Sequence, residues 1–187
     1  MKKRISDIAR IQTGIYAKPN AIGEVIYILG RHINQDKQID PIIFPELQLN
    51  EKTKKHLLHE GDIILASKGH DLSATVFYSL KFPAVASSMF LVLRLVDPKV
   101  TLPEYVAWSL NHSKTQRVLL GYSKGTSLQS ITKDIIGNLE IQIPSVHKQR
   151  ALLNAIATLT RETQLKRTIE LLKNQIMQQK LLKAISE

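Results

Sequence analysis

Two stretches of this sequence place lysine beside glycine and hydroxyl residues. They are SKGHD at residues 67–71 and YSKGTSLQSITK at residues 122–133. Loops of this composition can approach phosphate groups through backbone N–H groups and lysine, while serine, threonine, glutamine and histidine can reach base edges. A third polar stretch, GRHINQDKQ at residues 30–38, adds arginine, asparagine and glutamine, which suit paired hydrogen bonds to guanine or adenine. Ordinary solvated loops of the same composition remain the alternative.

The polar and cationic side chains of these loops, with one lysine upstream, form the predicted set of DNA contacts. They are Lys18, Arg31, His32, Asn34, Gln35, Ser67, Lys68, His70, Lys124, Thr126, Ser127, Gln129, Ser130 and Lys133. The chain carries 26 lysines and arginines against 16 acidic residues, a net charge of +10. Such a charge favours a polyanionic partner, of which nucleic acid is the commonest. The basic residues are spread along the chain, which favours a folded basic face over a membrane anchor.

The sequence offers few groups that could form a catalytic or metal centre. His56 and His59 lie three residues apart without a carboxylate-rich neighbourhood, and the other four histidines are scattered. There is no HExxH spacing, no GxxxxGK(S/T) motif and no GxGxxG motif. Asp62 follows Gly61 in a turn, where its side chain can accept local backbone hydrogen bonds. We therefore predict neither a catalytic residue nor a metal site in this chain.

One pair of short motifs does suggest an enzyme. GIY at residues 14–16 and YILG at residues 27–30 resemble the motifs of GIY-YIG nucleases, which would give Tyr16 and Tyr27 a role in DNA cleavage. That family has YIG where this sequence has YILG, and it places an arginine on a following helix. No arginine occurs between Arg31 and Arg94. The favoured interpretation is a glycine-ended helix followed by an unrelated strand.

The elements that would position these loops belong to an α+β body of about 145 residues. Hydrophobic content of 43% and charged content of 22% are globular values. We expect a first helix from Ser6 to near Gly14, a helix over 103–120 and a short helix that ends at Gly137. Apolar and β-branched runs predict strands at 24–31, 73–80, 84–96 and 139–143, and a short strand between two turns within 61–69. The run at 84–96 is too short to span a bilayer and contains Arg94, so a single buried strand is expected there. The lack of cysteine and of an apolar leader is compatible with the cytoplasm.

A long helix is expected to follow this body. Pro144 ends the last strand, and Ser145 can cap a helix that runs to residue 187, about 60 Å at about 1.5 Å per residue. Leu152, Ile156 and Leu159 share one face of it. A second face carries a seam with coiled-coil spacing: Leu165, Ile169, Leu172 and Ile176. Two successive apolar faces predict two partners, first the helix's own domain and then another helix, most simply from a second copy. The alternative is an antiparallel hairpin within the chain, for which no second long helix is available.

The stretch GTSLQSITKDIIGNLEIQIPSVHKQRALL, residues 125–153, resembles the end of a target recognition domain in type I restriction–modification specificity subunits. In that family a glycine-threonine-serine loop leads through a short helix and a strand to a proline, then to x-x-x-x-Q and a long helix. The matching positions are Gly125, Thr126, Ser127, Ile131, Leu139, Ile141, Ile143, Pro144 and Gln149. Upstream, GDIILASKG, FPAVASSMFLVLR and SDIARIQTG are similar to the family's G-D-I-L strand, its later strand pair and its first helix.

The resemblance implies a mixed-sheet target recognition domain over 1–144 and a helix over 145–187 for dimerisation and methyltransferase docking. A typical specificity subunit has two recognition domains and two long helices, whereas this chain has one of each. The resemblance therefore implies a self-paired half-subunit that reads an inverted repeat of double-stranded DNA. It also implies partner methyltransferase subunits that bind S-adenosylmethionine and modify a flipped-out adenine, with a separate motor–nuclease subunit for cleavage. A protein-interaction adaptor with incidental basic charge is the main alternative.

Overall fold

The computed structural model of this chain describes residues 1–20, 22–69, 72–122 and 130–186. The chain divides into two compact units, Met1–Val146 and His147–Glu187. The strands are β1 (Lys2–Arg4), β2 (Ala9–Thr13), β3 (Ile26–Ile28), β4 (Ile63–Ala66), β5 (Ala74–Val76), β6 (Ala84–Ala86), β7 (Phe90–Leu95) and β8 (Glu140–Gln142). The helices are α1 (Ile5–Ile8), α2 (Glu51–Lys55), α3 (Pro103–Asn111), α4 (Ser113–Tyr122), α5 (Lys133–Asn138) and α6 (Val146–Ser186), and a 3-10 turn covers Gly30–His32.

A four-stranded antiparallel sheet in the order β2-β7-β4-β5 forms the centre of the first unit. Its two middle strands, IILA and FLVLRL, are rich in leucine and β-branched residues that suit a pleated, buried surface. Ile64 pairs with Val92 at the middle of the sheet, and both side chains are buried. A parallel pair, β3 with β6, packs its own side chains into the same core cluster. Strand β1 pairs antiparallel with β8. Because the parallel pair β3–β6 accompanies these antiparallel pairs, the expected α+β class with mixed strand directions is confirmed.

The expected first helix is wrong beyond Ile8. Only Ile5–Ile8 is helical, and Ala9–Thr13 is a strand that pairs with β7 from Ala9↔Leu95 to Thr13↔Leu91. The apolar spacing of this segment suits a helix, but backbone pairing with a strand far along the chain overrides that local preference. Gly14 then lies so close to the next strand connection that a Cβ atom there would be 2.1 Å from the Ser87 carbonyl oxygen.

The single strand that the apolar pattern predicts over 84–96 is also wrong, whereas the strand pair implied there by the family resemblance is present. The apolar run is interrupted by a turn at residues 87–89, which sends β6 into one sheet and β7 into another. The helix expected over 103–120 is divided at His112 into α3 and α4. Asn111 explains the break, because its side chain accepts from Ala74 N at 2.8 Å and donates to Ala74 O at 2.7 Å. Those bonds anchor the end of α3 to β5. The expected strands around β3, β4, β5 and β8 are confirmed, with shorter bounds. The short helix α5 is also confirmed, but it ends at Asn138, one residue beyond the expected stop at Gly137.

The second unit is formed by the long helix α6. The expected start of this helix near Ser145 and its extension almost to the last residue are confirmed. Leu152 and Ile156 are half-buried, while Leu159 is exposed. All four side chains of the second seam, from Leu165 to Ile176, are more than half exposed. Among the residues that the structure describes, no helix is both long and apolar enough to cross a membrane.

Candidate DNA interface

Two of the loops predicted to contact DNA lie side by side. Lys68 forms an isolated antiparallel bridge with Ser130, and Ile131 N donates to Ser67 O at 2.7 Å. The first loop follows β4, and the second ends just before α5. The turn needs Gly69, whose φ of +100° lies in the left-handed region that other residues avoid. The pairing therefore presents Lys68 and Ser130, both exposed, at one end of the central sheet.

The third polar loop reaches the same place. Asn34 from this loop and Lys68 line one cavity of about 260 Å³, together with Ser73. The floor of the cavity is apolar and consists of Ile33, Ala66, Met89 and Phe90. Ala66 and Phe90 form the last residue pair between β4 and β7, so the cavity lies where the middle strands of the sheet end. The structure thus brings together loops that are far apart in the sequence, as a composite binding surface requires.

Hydrogen bonds within the third loop hold Asn34 in place. Asn34 N donates to Gln38 O at 2.9 Å, and Lys37 N donates to Asn34 O at 3.0 Å. The backbone N–H of Gln38 also donates to the side-chain oxygen Oδ1 of Asn34 at 2.9 Å. A backbone N–H can only donate, so the atom that faces it must be the amide oxygen and not the nitrogen. The amide nitrogen of Asn34 is therefore the atom that can donate to a ligand.

His32 and Arg31 stiffen the start of this loop. Leu29 N donates to Nδ1 of His32 at 3.3 Å, and Nε of Arg31 lies 3.2 Å from the other ring nitrogen. Desolvation by burial, followed by the positive charge of Arg31, lowers the pKa of His32 below 6.5, although Glu46 and Asp40 oppose this shift. A neutral imidazole can accept one hydrogen bond and an imidazolium none, so a donor at a ring nitrogen disfavours the imidazolium form, while a hydrogen bond with the Tyr27 backbone favours it. Arg31 itself is exposed and lies 3.7 Å from Glu46, a weak surface pair that leaves it available to a stronger anion.

The remaining predicted contacts are distributed differently. Gln35 is exposed on the third loop. Ser67 is only 4% exposed and donates its hydroxyl to Met89 O at 2.9 Å, so it positions the turn from within and does not face solvent. Lys18 and Lys133 are exposed, but they are not among the described residues that line this cavity. His70, Lys124, Thr126, Ser127 and Gln129 lie outside the described residues.

Sequence reasoning missed the apolar part of the surface, above all Met89. This side chain is 45% exposed in the turn between β6 and β7, and it was hidden within the run interpreted as one strand. A usable signal exists, because Ser87 and Ser88 are small polar residues in the middle of an otherwise apolar stretch. Such residues indicate a turn. Because turns run over the protein surface, Met89 could have been predicted to face solvent.

The structure gives fold-building roles to Tyr27 and Asp62, two of the residues that could have suggested catalysis, whereas Tyr16 is 69% exposed. Tyr27 is buried, and its hydroxyl donates to Ile15 O at 2.9 Å. Asp62 accepts from His59 N at 2.8 Å, which confirms its expected role as a local acceptor, and it also pairs with Arg94. Within the described ranges, no group of three or more histidine and acidic side chains is arranged to hold a metal ion.

Comparison with known proteins identifies the family of this chain. The family model of the type I restriction modification DNA specificity domain matches residues 1–174, which is nearly the whole chain. This chain belongs to that family. The resemblance inferred from the GTS loop and the IPxxxxQ junction is therefore confirmed. No curated protein is a significant match to the sequence.

Solved structures of related subunits share the fold of this specificity domain. An S subunit of the type I restriction-modification system from M. genitalium aligns with a TM-score of 0.58 at 14% identity, over 86% of this chain and 39% of that one. The HsdS subunit from Thermoanaerobacter tengcongensis aligns with a TM-score of 0.62 at 16% identity, over 90% and 39%. A chain from a structural study of assembly and conformational transition in the type I R-M system aligns with a TM-score of 0.68 at 15% identity, over 90% and 40%. The present chain thus spans about two fifths of the length of these relatives.

Proposed function

We propose that this specificity domain recognises a DNA sequence on behalf of a type I adenine methyltransferase and is not itself an enzyme. The observation that carries the proposal is the convergence of Asn34 and Lys68 on one cavity, with Ser130 paired beside them. Lysine and the loop backbone would position the phosphates, and the polar side chains would test base edges. Membership of the specificity family supports this assignment. The chain would act in the cytoplasm, where the DNA that it reads would be located.

The chemistry would come from partner subunits. Methyltransferase subunits would dock on α6, bind S-adenosylmethionine and methylate an adenine that is flipped out of the duplex. A motor–nuclease subunit would join the complex for cleavage. The chain's own contribution would be the choice of site and the placement of the methyltransferase on it. Two of the side chains considered for catalysis support this division, because Tyr27 and Asp62 make internal hydrogen bonds.

The second part of the proposal concerns pairing. We propose that the seam formed by Leu165, Ile169, Leu172 and Ile176 packs against the same seam of another copy, antiparallel about a two-fold axis. The support is that these four side chains are 51–54% exposed along one face of α6, although they have the spacing of a coiled-coil seam. Such a dimer would hold two recognition domains at a fixed separation. The expected target is therefore an inverted repeat with an unread spacer.

The direct test is DNA binding by the chain in complex with a type I methyltransferase subunit, measured over a range of salt concentrations. We expect affinity to fall steeply with salt, because each neutralised phosphate contributes about −0.9 to the slope of log K against log salt. Lys68→Ala should make that slope shallower by about 0.9, the contribution of one phosphate contact. The matched control is Lys99→Ala. Lys99 is exposed in the turn that follows β7, and the length of β7 from Phe90 to Leu95, about 17 Å at about 3.3 Å per residue, separates this turn from the end of the sheet near Lys68. Equal slopes for the two variants would remove the 68–69 loop from the interface, and salt-independent binding would contradict the proposal as a whole.

A further inference from the structure

The cavity between Asn34 and Lys68 combines donors at its rim with an apolar floor. Asn34 Oδ1 is engaged by the Gln38 N–H at 2.9 Å, so the side chain offers its NH₂ group to a ligand. Lys68 is exposed at the same rim, and a lysine ammonium can only donate. Two side chains from different loops therefore converge as hydrogen-bond donors above an apolar surface.

Met89 is the most exposed of the apolar residues that line the cavity. It is 45% exposed, whereas Phe90, the next residue in the chain, is 2% exposed. The hydroxyl and backbone N–H of Ser67 both bond to Met89 O at 2.9 Å. The turn that carries Met89 is thus tied to the turn that carries Lys68. Methionine is a flexible apolar side chain that adapts to the shape of a small apolar group.

The edges of the four bases differ in how well they suit such a surface. In the major groove, cytosine presents an amino donor, and adenine presents an amino donor beside its N7 acceptor. Cytosine would place its donor against the donors of Asn34 and Lys68, and adenine could offer them only N7 and has no apolar group for the floor. Guanine presents two acceptors and suits the donors, but it has no apolar group for the floor. Thymine presents the O4 acceptor next to the C5 methyl group, and it alone matches both parts of the cavity.

We propose that this cavity is a thymine-reading site in which Asn34 Nδ2 and Lys68 Nζ donate to O4 while Met89 and Ile33 contact the methyl group. The inference rests on the proposed function, and it adds which base one part of the surface selects and which residues select it. Met89 is a specificity-determining residue in this account.

The test uses the complex with its methyltransferase and the target duplex identified by mapping its methylated adenines. Each thymine of the target is replaced singly by uracil, which removes only the methyl group. We expect one position in each half-site at which uracil weakens binding about fourfold, the factor that corresponds to burial of one methyl-sized group. Met89→Ala should reduce the difference between thymine and uracil at that position, where Ile33 remains, and leave the other positions unchanged.

A second variant tests the donor. Asn34→Asp has nearly the same shape and can still accept the hydrogen bond from Gln38 N, but it replaces the donor with a carboxylate. Binding to the thymine-containing target should fall about tenfold, and cytosine should become the preferred base at that position because its amino group can donate to the carboxylate. The melting temperatures of both variants, compared with that of Lys99→Ala, show whether the fold is retained.

The outcomes separate this inference from the function on which it rests. If the complex binds its target with steep salt dependence but uracil equals thymine at every position, the thymine site is wrong and the recognition function stands. A target without any T·A pair would likewise overturn the thymine site alone. If the complex shows no sequence preference and no salt dependence, the proposed function fails and the inference fails with it.

Discussion

Arg94 holds both carboxylate oxygens of Asp62, with Nε donating to Oδ1 at 2.8 Å and Nη2 donating to Oδ2 at 2.6 Å. The Asp62 side chain is 1% exposed, and Nη2 of Arg94 also donates to Leu57 O at 3.1 Å. The hydrogen bond to Asp62 raises the pKa of Arg94, so the guanidinium keeps its charge throughout the physiological range. This pair ties the turn before β4 to β7. It thereby fixes the two strands whose far ends carry Lys68 and Met89.

Removal of the Asp62 charge should destabilise the first unit. Asp62→Asn retains the shape but leaves Arg94 without its counter-charge. Loss of one partner of a fully buried pair costs about 3–5 kcal/mol, and because the Arg94 side chain is 35% exposed we expect about 2 kcal/mol. Urea unfolding measures the change. Glu51→Gln, which removes an exposed pair with Lys54, is the control and should change stability by less than about 0.5 kcal/mol; equal losses for both variants would contradict the assignment.

Gly14 should be the least replaceable glycine in the described part of the first unit. A Cβ atom at this position would lie 2.1 Å from Ser87 O and 2.5 Å from Ala86 O, and both are backbone atoms that cannot rotate away. Gly14→Ala should therefore lower the free energy of unfolding by about 3 kcal/mol. At Gly121 in α4 a Cβ atom would meet no atom of the described residues within 4 Å, apart from its chain neighbours and the backbone of its own helix. Gly121→Ala should stabilise the protein by up to about 1 kcal/mol, and thermal melts that rank the two variants in the opposite order would count against this packing.

Acidification should loosen the loop that carries Asn34. Because the pKa of His32 is lowered in the folded state, its contribution to stability is complete above the unfolded value of 6.5 and is lost as the pH falls through the lower folded value. Protonation would place a cation beside Arg31. We expect the difference in unfolding free energy between the protein and His32→Gln to shrink from pH 7.5 to pH 5. An NMR titration of the His32 ring that gives a pKa of 6.5 or higher would rule this out.

Charges placed in the seam of α6 should separate the proposed pair. Each buried leucine or isoleucine contributes about 1.5–3 kcal/mol, so Ile169→Asp combined with Leu172→Asp should dissociate a modest helix interface. Asn174→Asp combined with Gln178→Asp adds the same charge to the opposite face of the helix and should leave pairing intact. Sedimentation velocity distinguishes the two cases. The same oligomer before and after the seam substitutions would show that the pairing surface lies elsewhere.

Local patterns predicted the elements whose limits are set by their own residues. The strand β4 follows from its apolar run, and the start of α6 follows from Pro144. Both signals act over a few residues. Ala9–Thr13 could not be recognised as a strand, because its conformation depends on pairing with β7. The division of the run at 84–96 likewise depends on β3, which recruits Ala84–Ala86 into a separate pair.

The candidate site shows the same limit. Composition identified the three polar loops, but their meeting depends on the bridge between Lys68 and Ser130 and on the end of the β4–β7 pair. Neither can be derived from a stretch considered alone. Composition also treated every polar side chain in a loop as a possible contact, although Ser67 turns inward and His32 braces the backbone. The apolar floor was missed because apolar residues beside a strand are ordinarily assigned to the core.

The choice of the methylated DNA site by this chain can be measured directly. A type I methyltransferase subunit is expressed with the chain, without it and with the Asn34→Asp variant, and methylated adenines are mapped across a genome. We expect methylation at one bipartite inverted-repeat sequence that requires the chain and changes with the variant. Methylation that is identical without the chain, or that never appears with it, would contradict the account.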